Sequence, residues 1–388
     1  MSRRIATGID IGTHQTKVVV VEEIQTPEGP ELHIIGTGIA ESRGMRHGYV
    51  VDAEDAAASV RLARTQAEQI ARVPIRKGFL AIGGVSLDEV RASGQCIISR
   101  ADQEITDLDL EKVLETARDA AKPNFLNRTV LHEIPLEYRV DGSKMLGEPI
   151  GIKGTRLEAD YLFVTCLTQH ADVLTAAAES ADIEIIDRMA SPLAGSYVTL
   201  TKDQKMKGCV LANIGAETVS IVVYDEGLPI SVKVFAIGST NITDDLALGF
   251  KVSLEDAERL KLGRLGGAMY PRKKVEEIVT ARFRAMFELI DKHLKVLGRR
   301  GTLPAGIIIS GGASGQGSIS DIAKGTLNLP SRIADLKVSA DTKVRDATWA
   351  VAYGLALWGL TGDTETPKKR PAGEFLATLQ KFLKQFLP

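Results

Sequence analysis

Ile5-Ala-Thr-Gly-Ile-Asp-Ile-Gly-Thr-His-Gln-Thr-Lys-Val-Val-Val-Val21 reads as two strands joined by a short polar turn. Its flanks, Ile5 to Ile11 and Val18 to Val21, are β-branched and almost continuously apolar, the pattern of strands buried on both faces of a sheet. The turn from Gly12 to Lys17 is small and hydroxyl-rich, with a lysine at its far end. Backbone N–H groups in such a turn can surround phosphate oxygens, Thr13 and Thr16 can add donors, and Lys17 supplies a cation. Asp10, at the mouth, is placed to hold a hydrated divalent metal.

The stretch has an echo. Leu211-Ala-Asn-Ile-Gly-Ala-Glu-Thr-Val-Ser-Ile-Val-Val-Tyr-Asp225 lines up with Gly8 to Glu22 at a constant offset, so that Asn213 falls on Asp10 and Gly215 on Gly12. Most single Gly-Thr hairpins bind nothing. Two copies about half a chain apart resemble the paired phosphate hairpins of the actin, Hsp70 and sugar-kinase superfamily, whose halves face each other across a nucleotide.

At 388 residues the chain exceeds one simple core, so two or more domains are expected. A net charge of −2 gives no nucleic-acid signature. Cys96, Cys166 and Cys209 are odd in number, widely spaced and set among apolar neighbours, which reads as reduced core residues of a cytosolic protein. Met1-Ser-Arg-Arg runs straight into a strand without the look of a signal peptide, and no apolar run approaches a transmembrane length. Membrane contact is therefore expected only from the surface.

Along the chain, a strand from Leu32 to Ala40 precedes the glycine-punctuated loop Glu41 to Asp52, and a helix from Ala53 to Ile70 follows with Asp52 as its N-cap. Phe79 to Gly83 is a short strand. A compact α+β insert then spans about Val85 to Cys166. It holds strands at Val90 to Ile98, Arg128 to Val140 and Ala159 to Leu167, and a helix opened by the capping box Thr106-Asp-Leu-Asp109. Gln169 to Ala181 is helical and Ile183 to Ile186 a strand. After the second hairpin, a loop from Phe235 to Thr243 feeds a helix from about Asp244, and Leu254 to Lys261 is helical. The helix Val275 to Leu297 buries Val279, Met286, Ile290 and Leu294. It displays Arg272, Lys273, Lys274, Arg282, Arg284, Lys295, Arg299 and Arg300, either as a solvated face or as a surface for an acidic peptide. Ala305 to Ser310 is a buried strand running into Gly311-Gly312, and Asp346 to Trp358 is a helix with a small face at Ala350 and Gly354.

Thr361 to Pro371 is polar and proline-bounded, a linker. Beyond it, Phe375, Leu376, Leu379, Phe382, Leu383, Phe386 and Leu387 recur at helical spacing over an arc of about 140°, with Lys381 and Lys384 outside it. One reading is a terminal helix docked on the body. The linker and the lysines opposite the apolar face favour the other, a helix lying in the plane of an anionic membrane. A polymer presenting many such tails would multiply a marginal affinity by about 10²–10⁴.

Hairpins and tail together resemble the FtsA family of bacterial cell-division actin homologues. Ser42-Arg-Gly-Met-Arg-His-Gly-Tyr-Val-Val-Asp52, His132-Glu-Ile-Pro-Leu-Glu-Tyr138 and Pro149-Ile-Gly-Ile-Lys-Gly154 are similar to its signatures; Ala257-Glu-Arg-Leu-Lys261 and Ser310-Gly-Gly-Ala313 resemble motifs that contact ribose and adenosine in bacterial actins. The resemblance implies an α/β, actin-like fold of two duplicated, ribonuclease H-like domains. Residues 1–84 and 167–204 would form domain 1, with 85–166 inserted, and 205–345 would form domain 2, its outer subdomain at about 245–302. Residues 346–360 would form a closing helix, 361–372 a linker and 373–388 the C-terminal amphipathic helix. It implies ATP or ADP with Mg²⁺, held by Asp10, Gly12, Thr13, His14 and Lys17 on one side and by Asn213, Gly215, Ala216, Thr218 and Gly238 on the other. Glu258 and Lys261 would reach the ribose or base, Gly311, Gly312 and Ala313 would border the adenine, and Asp10 would face the metal. It further implies filaments of the protein itself, anionic lipid as the surface, and the C-terminal peptide of the tubulin-like FtsZ as partner. That peptide would dock on the subdomain containing Arg282, with Arg299 and Arg300 as further contacts. Later division proteins are additional partners, and the place is the cytoplasmic face of the membrane at the division site.

Two departures bear on chemistry. Second hairpins of the superfamily usually read Asp-Ile-Gly-Gly-Gly-Thr, whereas this one reads Asn213-Ile-Gly-Ala-Glu-Thr218. Asn213 lacks the negative charge that helps hold magnesium, and Glu217 places a carboxylate near the phosphates unless it turns away or faces the metal. Met189-Ala-Ser-Pro192 stands where some relatives carry a Glu that orients water. The expectation is an ATP-binding protein with slow or absent hydrolysis. Two other readings stay open: a pilus-assembly adaptor resembling PilM, which binds a short peptide of a membrane partner, and a small-molecule kinase of the same fold, for which no base or substrate pocket is visible.

Overall fold

The computed structural model describes residues 3–27, 29–265, 270–336 and 346–361. In chain order, the first part runs β1 (Arg4–Ile11), β2 (Gln15–Thr26), β3 (Gly29–Glu41), the short pair β4 (Met45–Arg46) and β5 (Tyr49–Val50), α1 (Ala53–Ala71) and β6 (Lys77–Ile82). The insert follows with β7 (Asp88–Ile97), α2 (Asp107–Ala121), β8 (Arg128–Val140), β9 (Ser143–Met145) and β10 (Arg156–Leu167). The chain returns through α3 (Thr168–Glu179), β11 (Glu184–Ala190), α4 (Ser191–Thr199) and α5 (Lys202–Lys207). The second part comprises β12 (Cys209–Ile214), β13 (Val219–Asp225), β14 (Leu228–Phe235), α6 (Thr240–Phe250), α7 (Leu254–Lys261), α8 (Arg272–Val296), β15 (Gly306–Ser310), α9 (Ile319–Leu327) and β16 (Ser331–Ile333). The last described helix is α10 (Ala350–Leu360).

The echo between the hairpins extends to whole sheets. One has the order β11-β6-β1-β2-β3 and the other β14-β13-β12-β15-β16, so each is an antiparallel three-strand meander continued by two parallel strands. Asp10 pairs with Lys17 in the first and Asn213 with Ser220 in the second, at the same offset that aligns the sequences. Val18 to Val21 and Ile221 to Val223 are fully buried, since both faces of each sheet are covered.

Small residues set how close the cover lies. A Cβ on Gly38 of β3 would come within 1.7 Å of the Ala63 carbonyl of α1, and one on Gly8 of β1 within 1.9 Å of the Ala352 carbonyl of α10. Helix α10 is buried on every side and belongs to the first half, although the second half precedes it in the chain. Asp52 caps α1 by accepting from the Glu54 and Asp55 amides, as its sequence position suggests.

The insert is a sheet of order β7-β10-β8-β9 under α2, whose Thr106–Asp109 capping box is formed. Its strands β8 and β10 put one face on the first half's core (Ile134, Leu162, Val164) and the other on the insert's own (Tyr138, Tyr161, Phe163).

Several expectations are corrected. The first turn is shorter than Gly12 to Lys17, because β2 starts at Gln15 and takes Thr16 and Lys17 into the ladder. Strand β11 runs on through Met189 and Ala190, drawn out by parallel pairing with Ala81 and Ile82. Helix α6 begins at Thr240 rather than Asp244, and α8 buries Phe283 and Phe287 as well. Arg299 and Arg300 lie beyond the end of α8.

Candidate functional site

The two hairpin turns close in the same way. Gly12 N–H donates to the Gln15 carbonyl (3.1 Å) and Gly215 N–H to the Thr218 carbonyl (2.9 Å), so these amides shape the turns themselves. At the first turn, burial pushes the Asp10 carboxyl up to about 6 against the pull of Lys17. Burial likewise lowers Lys17, opposed by Asp10 and Asp346. Lys17 Nζ donates to the Thr348 carbonyl (2.9 Å) and lies 5.8 Å from the centre of the Trp349 ring. A buried carboxyl short of positive charge suits a divalent cation. Among the described residues no three His, Cys, Asp or Glu side chains cluster as a metal cage, so phosphate and water would complete any magnesium shell.

The second turn rests on the start of α6. Ser239 N–H and Thr240 N–H donate to the Gly215 and Ala216 carbonyls (2.9 and 2.8 Å), and a Cβ on Gly238 would lie 2.3 Å from the Ala216 oxygen. Gly311 has φ +91°, and a Cβ there would strike Asn213 Oδ1 at 2.3 Å. Glycine thus lets the end of β15 lie against Asn213. Around Gly312 the space is open.

Helices α6 and α7 supply a third cluster. Glu258 accepts from Thr243 Oγ1 and pairs with Lys261 Nζ, both at 2.6 Å, while Lys261 Nζ also reaches Thr243 Oγ1 at 2.9 Å and the Ser239 carbonyl at 3.3 Å. Burial works to raise Glu258, but these donors outweigh it and hold the carboxyl below its usual range; His14 of the first turn adds to the effect across the cleft. Gln316 Nε2 donates to the Lys261 carbonyl (3.2 Å), tying α7 to the 3₁₀ turn at Gly312–Gly315 that includes Ala313.

The structure therefore gathers Asn213, Gly215, Ala216, Gly238 and Gly311 in one place and Glu258 with Lys261 in another, and brings His14 of the first turn near the latter. Thr243 and the Thr348–Trp349 support of Lys17 were not read from the sequence. Thr243 lies 18 residues from Lys261 along the chain, too far for a local motif to show. Thr243, Glu258 and Lys261 satisfy one another, and one acidic group, Glu217, stands at the two turns. Glu217 accepts a hydrogen bond from His47 N–H, and Gly48 N–H donates to Thr13 Oγ1 (3.0 Å).

The three arginines considered for a partner are engaged within the chain. Arg282 grips Asp245 through two 2.6 Å bonds, Arg299 pairs with Asp225 (2.7 Å) and Arg300 with Asp291 (2.9 Å). Between α8 and α9 a groove of about 620 Å³ is lined by Arg284, Glu288, Asp291, Arg300, Asp321 and Ile322, among others. Phe375 to Leu387, with Lys381 and Lys384, lie outside the described residues. Among the described residues no helix is long and apolar enough to cross a membrane.

Two family models match the sequence: the SHS2 domain inserted in FtsA, over residues 87–165, and cell division protein FtsA, over residues 210–354. Similar proteins include the cell division protein FtsA of Pseudomonas aeruginosa, 29% identical over 92% of this chain and 90% of its own length. That of Bacillus subtilis is 29% identical over 91% and 83%. That of Escherichia coli K12 is 28% identical over 99% and 98%. Among solved structures, the PilM–PilN type IV pilus biogenesis complex superposes with a TM-score of 0.69 at 17% identity, covering 92% of this chain and 98% of that one. The ethanolamine utilization protein EutJ of Carboxydothermus hydrogenoformans gives 0.54 at 14%, covering 92% and 90%. Both show a shared fold.

Proposed function

Because this chain belongs to the FtsA family of cell-division proteins, an actin-like fold with an inserted SHS2 domain, we propose that it binds ATP between its hairpins, polymerises on the cytoplasmic face of the membrane and tethers FtsZ there. The observation that carries the nucleotide is the duplicated hairpin, two turns of one geometry flanked by Asp10–Lys17 on one side and Thr243–Glu258–Lys261 on the other. Bound Mg²⁺ would neutralise phosphate charge, with Asp10 as its protein ligand. Glu258 and Lys261 would hold the ribose or base, and Gly311, Gly312 and Ala313 would border the adenine.

Hydrolysis would be slow. Asn213 brings no charge to the second turn, and Met189 and Ala190 end β11 as buried apolar residues. Vigorous phosphate release by the purified protein with Mg·ATP would overturn this. For FtsZ's C-terminal peptide, the groove between α8 and α9 has Arg284 and Arg300 in its lining; Arg282 would have to leave Asp245 to take part.

Membrane attachment rests on the apolar arc from Phe375 to Leu387 with Lys381 and Lys384 outside it. The match to the E. coli protein covers 99% of the chain and so extends into this tail. The test is co-sedimentation with anionic vesicles and ATP, comparing the full chain with a form ending at Pro371. Tail-dependent binding with filaments on the vesicles supports the reading. Equal behaviour of both forms sinks it and favours an adaptor like PilM, whose fold this chain shares.

A further inference from the structure

The loop between β3 and α1 spans the cleft with two adjacent amides. His47 N–H donates to the Glu217 carboxylate in the second turn, and Gly48 N–H donates to Thr13 Oγ1 in the first (3.0 Å). His47 Nδ1 also lies 3.4 Å from the Glu217 carbonyl oxygen. Both residues have positive φ, +50° and +81°. For His47 that is a conformation side chains avoid, held here by the contacts on either side.

The rest of the loop is anchored to the first half. A Cβ on Gly48 would meet Gly84 Cα at 2.4 Å. The Tyr49 ring packs edge-on against His170 at 4.6 Å, and His170 Nε2 bonds the Gly83 carbonyl (3.0 Å). The reach to the second half is thus made at His47. A backbone N–H presented at such a turn suits an anion, and the anion that the His47 N–H meets is Glu217, while the Gly48 N–H stays on Thr13 of the first half.

We propose that Glu217 makes the cleft sensitive to the number of phosphates. Its carboxylate holds on His47 the place that the terminal phosphate of a nucleoside triphosphate would take. The inference rests on the nucleotide-binding reading above. Two anions repel one another at one donor site, so a triphosphate displaces Glu217 and frees the loop from the second half. A diphosphate, one phosphoryl group shorter, leaves the Glu217–His47 bond intact. The bond opposes triphosphate binding and couples it to release of the Arg46–Gly48 segment.

The test uses the full chain, Glu217→Gln and Glu217→Ala. Affinities for ADP and for a non-hydrolysable ATP analogue are measured, together with amide exchange at residues 45–50 without nucleotide. Expected are about tenfold tighter binding of the ATP analogue by both variants, ADP within about twofold, and about tenfold faster exchange at His47 in Glu217→Ala. Glu217→Gln keeps the shape and one acceptor, so it carries the test if the alanine variant folds poorly. Equal shifts for both nucleotides, unchanged exchange, or weaker ATP binding would overturn the proposal. If wild type and variants alike bind neither nucleotide, the nucleotide reading fails and the latch with it. If wild type binds both and the variants match it, only the latch fails.

Discussion

Asp10 and Asn213 occupy equivalent positions in two equivalent strands, yet one is a carboxyl held up to about 6 and the other a neutral amide. The folded pKa of Asp10 exceeds the ordinary 3.8, so between these values the folded chain holds more protons than the unfolded one. By that sign the protein without cation loses stability as pH rises from about 4 to about 6, and a bound cation, which needs the ionised form, restores it. Magnesium with ATP should therefore raise the melting temperature at pH 7.5 and have little effect at pH 5, with Asp10→Asn abolishing the difference. A magnesium effect equal at both pH values would remove Asp10 from the metal site. Asn213→Asp adds the missing charge on the other side, and phosphate release should rise several-fold by single-turnover assay; no rise would place the limitation elsewhere in the cleft.

Among elements, the closeness of α10 to its neighbours is set by glycine. A Cβ on Gly354 would lie 1.9 Å from the Ala194 carbonyl of α4, a contact with rigid backbone that no rotamer relieves. Gly354→Ala should cost about 1–3 kcal/mol or more, read as a lower midpoint in urea, whereas Gly325→Ala in α9, with open space around it, should be neutral or mildly stabilising. Equal midpoints for the two variants would refute the packing argument. The β-branched runs and the small-residue face of α10 were legible because their partners are generic: any apolar surface satisfies them. The start of α6 was not. Thr240-Asn-Ile-Thr243 is locally turn-like, and what makes it helical is the second turn, whose Gly215 and Ala216 carbonyls take the Ser239 and Thr240 amides. For the same reason β11 looked shorter in sequence than its pairing with β6 makes it.

At the scale of the molecule, the duplicated sheets were visible as an offset between two sequences, but the bonds joining the parts were not, since each links residues more than a hundred positions apart. Glu217 with His47 is one such bond and the docking of the insert on the second half is another. Glu89 of β7 accepts from Val232 N–H (2.7 Å) and Ser231 Oγ (3.0 Å) on the edge strand β14, Asp88 pairs with Lys233 (3.1 Å), and Arg91 donates to the Ile230 carbonyl (2.5 Å). Burial, aided by Lys233 and Arg91, pushes His293 of α8 down to about 4, so it is neutral near pH 7. With its own hydrogen given to Glu89, Ser231 must accept from His293 Nε2 (2.8 Å), which fixes that tautomer and extends the chain of bonds into α8. Glu89→Ala leaves two donors of β14 unmet, at a cost of about 1–3 kcal/mol. Amide exchange at Val232 should then quicken at least tenfold while exchange in β1 and β2 stays unchanged, because the insert loosens without unfolding the first half. Glu89→Gln, which keeps an acceptor, should fall between. Unaltered exchange at Val232 in Glu89→Ala would mean that Glu89 is not what holds the insert to β14.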